Sequence, residues 1–158
     1  MDDMARSHRI PALVGGQPNP RWRRTVPSVP AGSAMLSGVR LRVLIVDDHE
    51  RFRVTAGRAL EAEGWTVVGE AQDGASALAA VEEIESDVLL LDVGLPDMSG
   101  VDVAAAVRDR HPALAVVLVS TQDAADYHEL VAASGARGFL PKAELSGAAL
   151  ERLVAAGT

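Results

Sequence analysis

Five polar side chains follow apolar segments of the sequence at points where strands would end. They comprise three carboxylates, one hydroxyl and one ammonium group: Asp47, Asp48, Asp92, Ser120 and Lys142. If the apolar segments form parallel strands, all five groups emerge at the carboxyl edge of one sheet, where ligands bind in such sheets. Lys142 is also the only lysine in the chain. The sequence therefore predicts a charged site at that edge.

The chemistry that this set supports is phosphoryl transfer to a carboxylate. Three carboxylates packed together repel each other, which either raises their pKa values or favours a bound cation. Oxygen ligands suit a hard ion, and Mg²⁺ typically takes a few carboxylates while it keeps water ligands. The lysine and the hydroxyl can each hold a phosphoryl oxygen, and a carboxylate can attack phosphorus to form an aspartyl phosphate. We expect Asp92 to be the acceptor.

Each of these residues alone has a plainer explanation. An Asp-Asp pair after a strand is more often a helix cap than a metal site. Asp92 would also suit the start of a turn, Ser120 would satisfy a loop amide, and a single lysine is usually solvated surface. The inference depends on finding all five groups together, in the right strand order.

The elements that must position the set alternate between strand-like and helix-like segments five times from residue 40 onward. Three strand candidates are continuous apolar runs, which is typical of parallel strands covered by helices on both faces. Apolar residues between them recur at i, i+3 and i+4, which predicts helices. Gly64 is expected to end the first helix, Asp73 to cap the second and His111-Pro112 to end the third. The pattern predicts an α/β fold with a doubly wound five-stranded parallel sheet, and its strand candidates are Leu41–Val46, Trp65–Gly69, Val88–Leu91, Ala115–Val119 and Gly138–Leu140.

Residues 1–38 differ from the rest of the chain. They hold five of its eight prolines and show no strand or helix periodicity, so we expect a disordered extension rich in Pro, Gly and Arg, followed by one domain over residues 39–158. The extension carries five arginines against two aspartates, and the remainder carries 10 basic and 20 acidic residues. We expect the extension to be dispensable for folding and phosphate acceptance; a basic arm that contacts an anionic partner is the alternative.

The composition excludes several classes of site. Without cysteines the chain has no disulfides, thiolate catalysis or thiolate metal sites, and its four histidines lack the i, i+4 spacing of a zinc site. The acidic body argues against binding to nucleic acid. No apolar run approaches the roughly 20 residues of a membrane span, and no secretory signal is visible. We therefore expect a cytoplasmic protein with no nucleic-acid or membrane partner.

Four stretches of the sequence follow the pattern of a known family: Arg42–His49, Asp87–Gly100, Val119-Ser120 and Gly135–Lys142. Through them the sequence resembles a response-regulator receiver domain of two-component signalling, over residues 40–156. The Asp-Asp-His opening and the segment Gly135–Leu140 are similar to receivers that usually precede a helix-turn-helix output domain. The resemblance implies the flavodoxin-like fold, with strand order 2-1-3-4-5 and helices on both faces.

The resemblance implies a role for each residue of the set. Asp92 would accept the phosphoryl group from the phosphohistidine of a sensor histidine kinase or phosphotransfer protein. Asp47, Asp48 and the backbone carbonyl of Gly94 would bind Mg²⁺ together with Asp92. Lys142 would pair with the phosphoryl group.

The resemblance also implies a switch. Ser120 would swing to hydrogen-bond the phosphoryl group, and Phe139 would then rotate inward. The surface expected to change comprises helix four (about residues 124–134), strand five and helix five (Ser146–Ala156). Gly94 and Gln122 would tune access of the hydrolysing water, and Pro96 and Gly100 would shape the loop after Asp92.

One departure from the family pattern is visible at the lysine. Many receivers place proline directly after it, whereas here Pro141 precedes Lys142 and Ala143 follows. A cis Lys–Pro bond cannot form, so we expect the lysine loop to lie differently while phosphoryl chemistry survives. Proline is tolerated here if strand five lies at the sheet edge.

Three functions compete. The first is a single-domain phosphoacceptor, not a turnover enzyme, that switches contacts with an unidentified downstream protein; whether it forms a homodimer stays open. The second is a phosphorylation-independent interaction module, or the remnant of a longer DNA-binding regulator; the remnant is considered because the sequence stops at Thr158, two residues after helix five. The third is an aspartyl-phosphate hydrolase, which typically needs an acid two residues after its nucleophile, where this chain has Gly94.

Overall fold

The computed structural model describes residues 21–25, 35–36, 39–122 and 127–156. The strands in this part of the chain are β1 (Trp22–Arg24), β2 (Met35–Leu36), β3 (Val39–Arg40), β4 (Arg42–Val46), β5 (Thr66–Ala71), β6 (Val88–Asp92), β7 (Ala115–Ser120) and β8 (Gly138–Pro141). Six of them form one sheet in the order β1-β5-β4-β6-β7-β8, and β2 and β3 form a separate antiparallel pair.

The parallel part of the sheet has the predicted topology. Strands β5, β4, β6, β7 and β8 are parallel neighbours, which is the order 2-1-3-4-5 when the five strands are counted along the chain. The predicted fold class is therefore confirmed. The sheet as a whole is mixed, because β1 adds a sixth, antiparallel strand.

In the described residues five α-helices cover both faces of the sheet; four of them connect successive parallel strands and the fifth follows β8. Along β4, Val43 and Ile45 belong to one apolar cluster, which includes residues of the first and last helices, and Leu44 and Val46 belong to a second, which includes residues of the second and third. This two-sided burial explains why the strands are continuous apolar runs. The helices are α1 (Glu50–Ala62), α2 (Gly74–Glu83), α3 (Gly100–Arg110), α4 (His128–Ser134) and α5 (Gly147–Ala156), and a 3₁₀ turn spans Lys142–Glu144.

The helix ends follow the local sequence signals. Gly64 has a φ of 97° just beyond α1, a conformation that glycine adopts without strain. The N–H of Ser76 donates to Asp73 Oδ1 at 2.8 Å and caps α2, and His111 closes α3. A second carboxylate, Asp97, accepts from the first two N–H groups of α2 at 2.7 and 2.9 Å, which ties the loop after β6 to that helix.

The disordered extension expected over residues 1–38 does not hold for residues 22–24. They pair antiparallel with β5, with Arg23 opposite Glu70. Without β1, β5 would be the edge strand of the sheet, with unpaired backbone groups. Trp22 packs against the second apolar cluster, so a strand too short to show periodicity is held by its partner. Met35–Leu36 also forms a strand, and the remaining residues of the extension lie outside the described part of the chain.

The helices in the described ranges include none with the length and apolar character that a membrane crossing requires.

Candidate functional site

The carboxyl ends of the parallel strands bring three of the predicted residues into direct contact. Lys142 Nζ lies 2.5 Å from Asp47 Oδ2 and 3.5 Å from Asp92 Oδ1. Asp47 is completely buried and the Lys142 side chain is only 13% exposed. Charges that are removed from water in this way must be paired. Two carboxylates that follow different strands are thus bridged by the one lysine of the chain.

Asp48 lies beside this bridge and is more exposed. Its Oδ1 is 3.0 Å from His49 Nδ1, and the same ring nitrogen is 3.1 Å from Asp47 Oδ1. Asp47 Oδ1 also accepts the His49 N–H at 2.8 Å. Asp47, Asp48 and His49 can therefore offer ligand atoms within 4.8 Å of one another.

His49 is not among the residues predicted from the sequence to form the site, because none of the four histidines has the i, i+4 spacing of a zinc site. The available signal was adjacency, because His49 directly follows the Asp-Asp pair that begins the predicted site.

Asp92 is buried at the end of the central strand β6, and its environment shifts its titration. Burial raises the pKa of the Asp92 carboxyl, and the nearby charge of Asp47 raises it further, with a smaller contribution from Asp48. The Lys142 ammonium opposes both effects without cancelling them. Asp92 is therefore a more basic carboxylate than an exposed aspartate.

Lys142 reaches the site in spite of the altered proline position. Pro141 is the last residue of β8 and is paired with Ser120 of β7, and β8 is the edge strand, where proline is tolerated. The chain then enters the 3₁₀ turn that begins at Lys142. The ammonium group also lies 4.5 Å from the centre of the Phe52 ring on α1, an arrangement that favours a cation.

Ser120 ends β7, one residue beyond the position paired with Asp92. Its hydroxyl oxygen accepts a hydrogen bond from the Gln122 N–H at 3.2 Å. Phe139, the other predicted switch residue, is half-buried on β8, and its ring stacks on Tyr127 with a centroid distance of 5.1 Å. Tyr127 was missed by the sequence analysis, because it lies in a polar segment without periodicity.

The loop after Asp92 depends on two glycines. An added Cβ on Gly100 would lie 2.2 Å from the Asp92 carbonyl oxygen, so no larger residue fits there. An added Cβ on Gly94 would meet only Asp92 Oδ2, at 4.0 Å. The space around Gly94 is therefore open among the described residues, and Gly94 pairs with Ser99 to close the loop.

A buried ion pair supports the backbone of the acidic segment. Arg53 Nη1 donates to the Asp47 carbonyl oxygen at 2.7 Å, and Arg53 Nε donates to Glu70 Oε1 at 2.8 Å. Arg53 is only 8% exposed. Sequence reasoning missed this pair, because its members lie on α1 and β5 and only the fold joins them.

The sequence matches the model of a known protein family. The profile described as the response regulator receiver domain matches residues 43–154. The chain belongs to that family. Receiver domains are generally signalling modules of two-component systems rather than enzymes.

The receiver domain is similar to parts of longer curated proteins. It is 43% identical over 104 residues to the probable transcriptional regulatory protein NarL of Mycobacterium tuberculosis, which covers 65% of this chain and 48% of that protein. It is 33% identical over 117 residues to the response regulator GacA of Pseudomonas viridiflava, covering 73% and 53%. The chain thus spans about half the length of these relatives.

Solved receiver structures have the same fold. The signal receiver domain of the putative response regulator NarL from Mycobacterium tuberculosis superposes with a TM-score of 0.65 at 37% identity, covering 75% of this chain and 95% of that one. The chemotaxis response regulator CheY4 of Vibrio cholerae has a TM-score of 0.65 at 28% identity, covering 73% and 99%.

Receiver domains typically bind Mg²⁺ through an acidic pocket, and the donor set of this chain fits that ion. Asp47 and Asp48 supply carboxylate oxygens close together, and Asp92 adds a carboxylate one strand away. Oxygen donors at a partly open edge suit Mg²⁺, which retains several waters.

Proposed function

We propose that this receiver domain accepts a phosphoryl group on Asp92 from a sensor histidine kinase or a phosphotransfer protein, and that the aspartyl phosphate switches a protein-binding surface. The observation that carries the proposal is the contact of one buried ammonium group with two carboxylates, Asp47 and Asp92, at the carboxyl edge of a parallel sheet. A cation held there is ready to pair with phosphoryl oxygens.

The transfer is a displacement at phosphorus. Asp92 Oδ2, the carboxylate oxygen on the side of Gly94, attacks the phosphorus atom as the P–N bond of the donor phosphohistidine breaks. The electron pair of that bond returns to the donor imidazole. Lys142, already 3.5 Å from Asp92 Oδ1, pairs with a phosphoryl oxygen as negative charge gathers at the edge.

The residues that would hold Mg²⁺ are Asp47, Asp48, Asp92 and the backbone carbonyl of Gly94. When bound, the ion supplies positive charge that offsets repulsion between these carboxylates and the incoming phosphoryl oxygens. Asp47 is preorganised for this role, because His49, Lys142 and Arg53 hold its side chain and its carbonyl group. The same site would permit slow hydrolysis of the aspartyl phosphate without making the protein a turnover enzyme.

The switch would run from Ser120 to Phe139. The Ser120 hydroxyl would leave the Gln122 N–H and bond the phosphoryl group, and Phe139 would rotate inward. The surface that changes would comprise α4, β8 and α5. A few kcal/mol of differential stabilisation is enough to change the dominant state of such a domain.

Acetyl phosphate and Mg²⁺ provide the direct test. Intact-mass spectrometry should detect one phosphoryl adduct on the wild-type chain and none on Asp92→Asn. The adduct should survive brief isolation in acid and be lost in base. Asp97→Asn is the matched control, since Asp97 lies in the same loop but caps α2, and it should still be labelled. Asp48→Ala should remove the Mg²⁺ dependence together with most of the labelling. An adduct of unchanged amount on Asp92→Asn would show that the acceptor has been misassigned.

A role in transcriptional regulation is favoured by the names of the relatives, which are described as transcriptional regulatory proteins. The 10 basic and 20 acidic residues after position 38 disfavour direct contact of this domain with DNA, so the effect would pass through another domain or protein. Affinity capture with beryllofluoride-treated wild type against Asp92→Asn should recover a partner from the first sample alone. Equal recovery from both would instead favour a phosphorylation-independent interaction module.

A further inference from the structure

Tyr127 contacts one half of the proposed switch, Phe139, directly and reaches the other, Ser120, through Gln122. Its ring stacks on Phe139, with centroids 5.1 Å apart and planes 23° apart. Its hydroxyl donates to Gln122 Oε1 at 2.7 Å. The backbone N–H of the same Gln122 donates to Ser120 Oγ at 3.2 Å.

These contacts form one continuous chain from the hydroxyl at the phosphoryl site to the aromatic ring on β8. Gln122 takes part twice, through its N–H toward Ser120 and through its amide oxygen toward Tyr127. Tyr127 directly precedes α4, so this series of contacts also reaches the first element of the surface that would change. The two ends of the switch are thus joined by direct contacts, and contiguous networks of this kind are what carry coupling between sites.

We propose that Tyr127 is a positioning residue that holds Ser120 and Phe139 in their unphosphorylated arrangement; the proposal rests on the proposed phosphorylation of Asp92. The Tyr127 hydroxyl fixes the Gln122 side chain, and the Gln122 N–H in turn keeps the Ser120 hydroxyl away from Asp92. The Tyr127 ring keeps Phe139 in its half-buried position by stacking.

Phosphorylation would break the contacts at both ends of this series, at Ser120 and at Phe139. When Ser120 turns to the phosphoryl group, the Gln122 N–H loses its acceptor, and when Phe139 rotates inward, Tyr127 loses its stacked partner. Tyr127 therefore stabilises the unphosphorylated state relative to the phosphorylated one. Removing its contacts should favour the phosphorylated arrangement, by the difference in stabilisation between the two states.

The first experiment removes only the hydroxyl. In Tyr127→Phe, calorimetric titration with beryllofluoride in excess Mg²⁺ should give two- to tenfold tighter binding than in the wild type, because one neutral hydrogen bond is worth about that factor. Val54→Ala is the matched control, because Val54 is exposed on α1, outside the surface that would change, and this variant should bind like the wild type. Tighter binding cannot come from a general loss of structure, because that would weaken binding. Unchanged or weaker binding in Tyr127→Phe overturns the proposal.

The second experiment follows Tyr127 itself. It is the only tyrosine in the chain, so protein labelled with 3-fluorotyrosine gives one ¹⁹F resonance. That resonance should move when Asp92 is phosphorylated. In Gln122→Met, which removes the acceptor of the hydroxyl, the free-state resonance should already lie near the phosphorylated position; in Gln122→Glu, which keeps an acceptor oxygen, the wild-type response should persist. A full wild-type displacement in Gln122→Met overturns the proposal.

The phosphoacceptor function and the coupling through Tyr127 are tested separately. If intact-mass spectrometry shows a phosphoryl group on Asp92 and the Tyr127 resonance stays in place, the coupling is wrong and the phosphoacceptor function stands. If the wild-type chain takes no phosphoryl group under conditions that label a known receiver, the proposed function and the coupling are both overturned.

Discussion

The ammonium group of Lys142 lies 2.5 Å from Asp47 Oδ2, a carboxylate with no exposure to solvent. Removing one partner of a buried pair leaves the other charge unpaired, which typically costs about 3–5 kcal/mol. We therefore expect Lys142→Met to unfold at markedly lower urea in the absence of Mg²⁺. Millimolar Mg²⁺ should restore part of the loss, because it would offset the charge left on Asp47.

The matched variant is Lys142→Arg, which retains the charge and should lose less stability. Urea titrations of the two variants with and without Mg²⁺ check the prediction. A Lys142→Met protein as stable as the wild type in metal-free buffer would show that the contact with Asp47 contributes little.

The N-terminal strand β1 should stabilise the domain. Trp22 packs against the second apolar cluster, and Arg24 Nη2 donates to the Glu83 carbonyl oxygen at the end of α2 at 2.9 Å. A chain that begins at residue 26 should lose about 1–3 kcal/mol of unfolding free energy relative to one that begins at residue 21. Chemical denaturation measures the difference, and equal stabilities would restore the view that the whole extension is dispensable.

Gly100 should tolerate no side chain. Because an added Cβ would lie 2.2 Å from the Asp92 carbonyl oxygen, Gly100→Ala should displace either the acceptor strand or the start of α3. We expect a loss of about 2 kcal/mol or more and slower labelling of Asp92 by acetyl phosphate. Gly57→Ala is the control, since its Cβ would lie 3.8 Å from Ile45 Cδ1; there alanine should stabilise α1 by about 0.5–1 kcal/mol. Similar behaviour of the two variants would contradict the packing argument.

Because of Asp87, the free energy of unfolding should depend on pH in the acidic range. Burial alone would raise the pKa of its carboxyl, but hydrogen bonds from the Arg42 side chain and N–H, together with its charge, hold that pKa below the ordinary value. A carboxyl with a lowered pKa in the folded state stabilises the fold above its unfolded pKa, and this contribution disappears as the pH falls through the folded pKa.

Asp87→Asn should therefore cost about 1.5–3 kcal/mol at pH 7, the usual range for hydrogen bonds to a charged group. The gap between variant and wild type should narrow steadily below about pH 4. Thermal unfolding of both proteins between pH 3 and pH 7 is the measurement. A gap of constant size across that range would mean that the ionised Asp87 carboxylate is not the source of the effect.

The parallel sheet was predictable because its strands are buried on both faces. Every residue of a segment such as Val88–Leu91 is apolar and buried, so its composition alone predicts a buried strand. Gly64, Asp73 and the His111-Pro112 pair act within one turn of the helix they end or begin, and their effects are equally local. Strand β1 escaped prediction because three residues show no periodicity and its partner lies more than 40 positions away.

The candidate site divides in the same way. The sequence by itself determined which groups reach one edge, because Asp47, Asp92 and Lys142 each follow a strand whose direction the alternation of strands and helices dictates; the roles assigned to them remain predictions. Only the tertiary structure decided that Lys142 bridges Asp47 and Asp92, that Arg53 holds the Asp47 carbonyl, and that Tyr127 stacks on Phe139. Those contacts join residues from different parts of the fold at distances of a few ångströms, and such distances are set by how the elements pack rather than by the local pattern of any one of them.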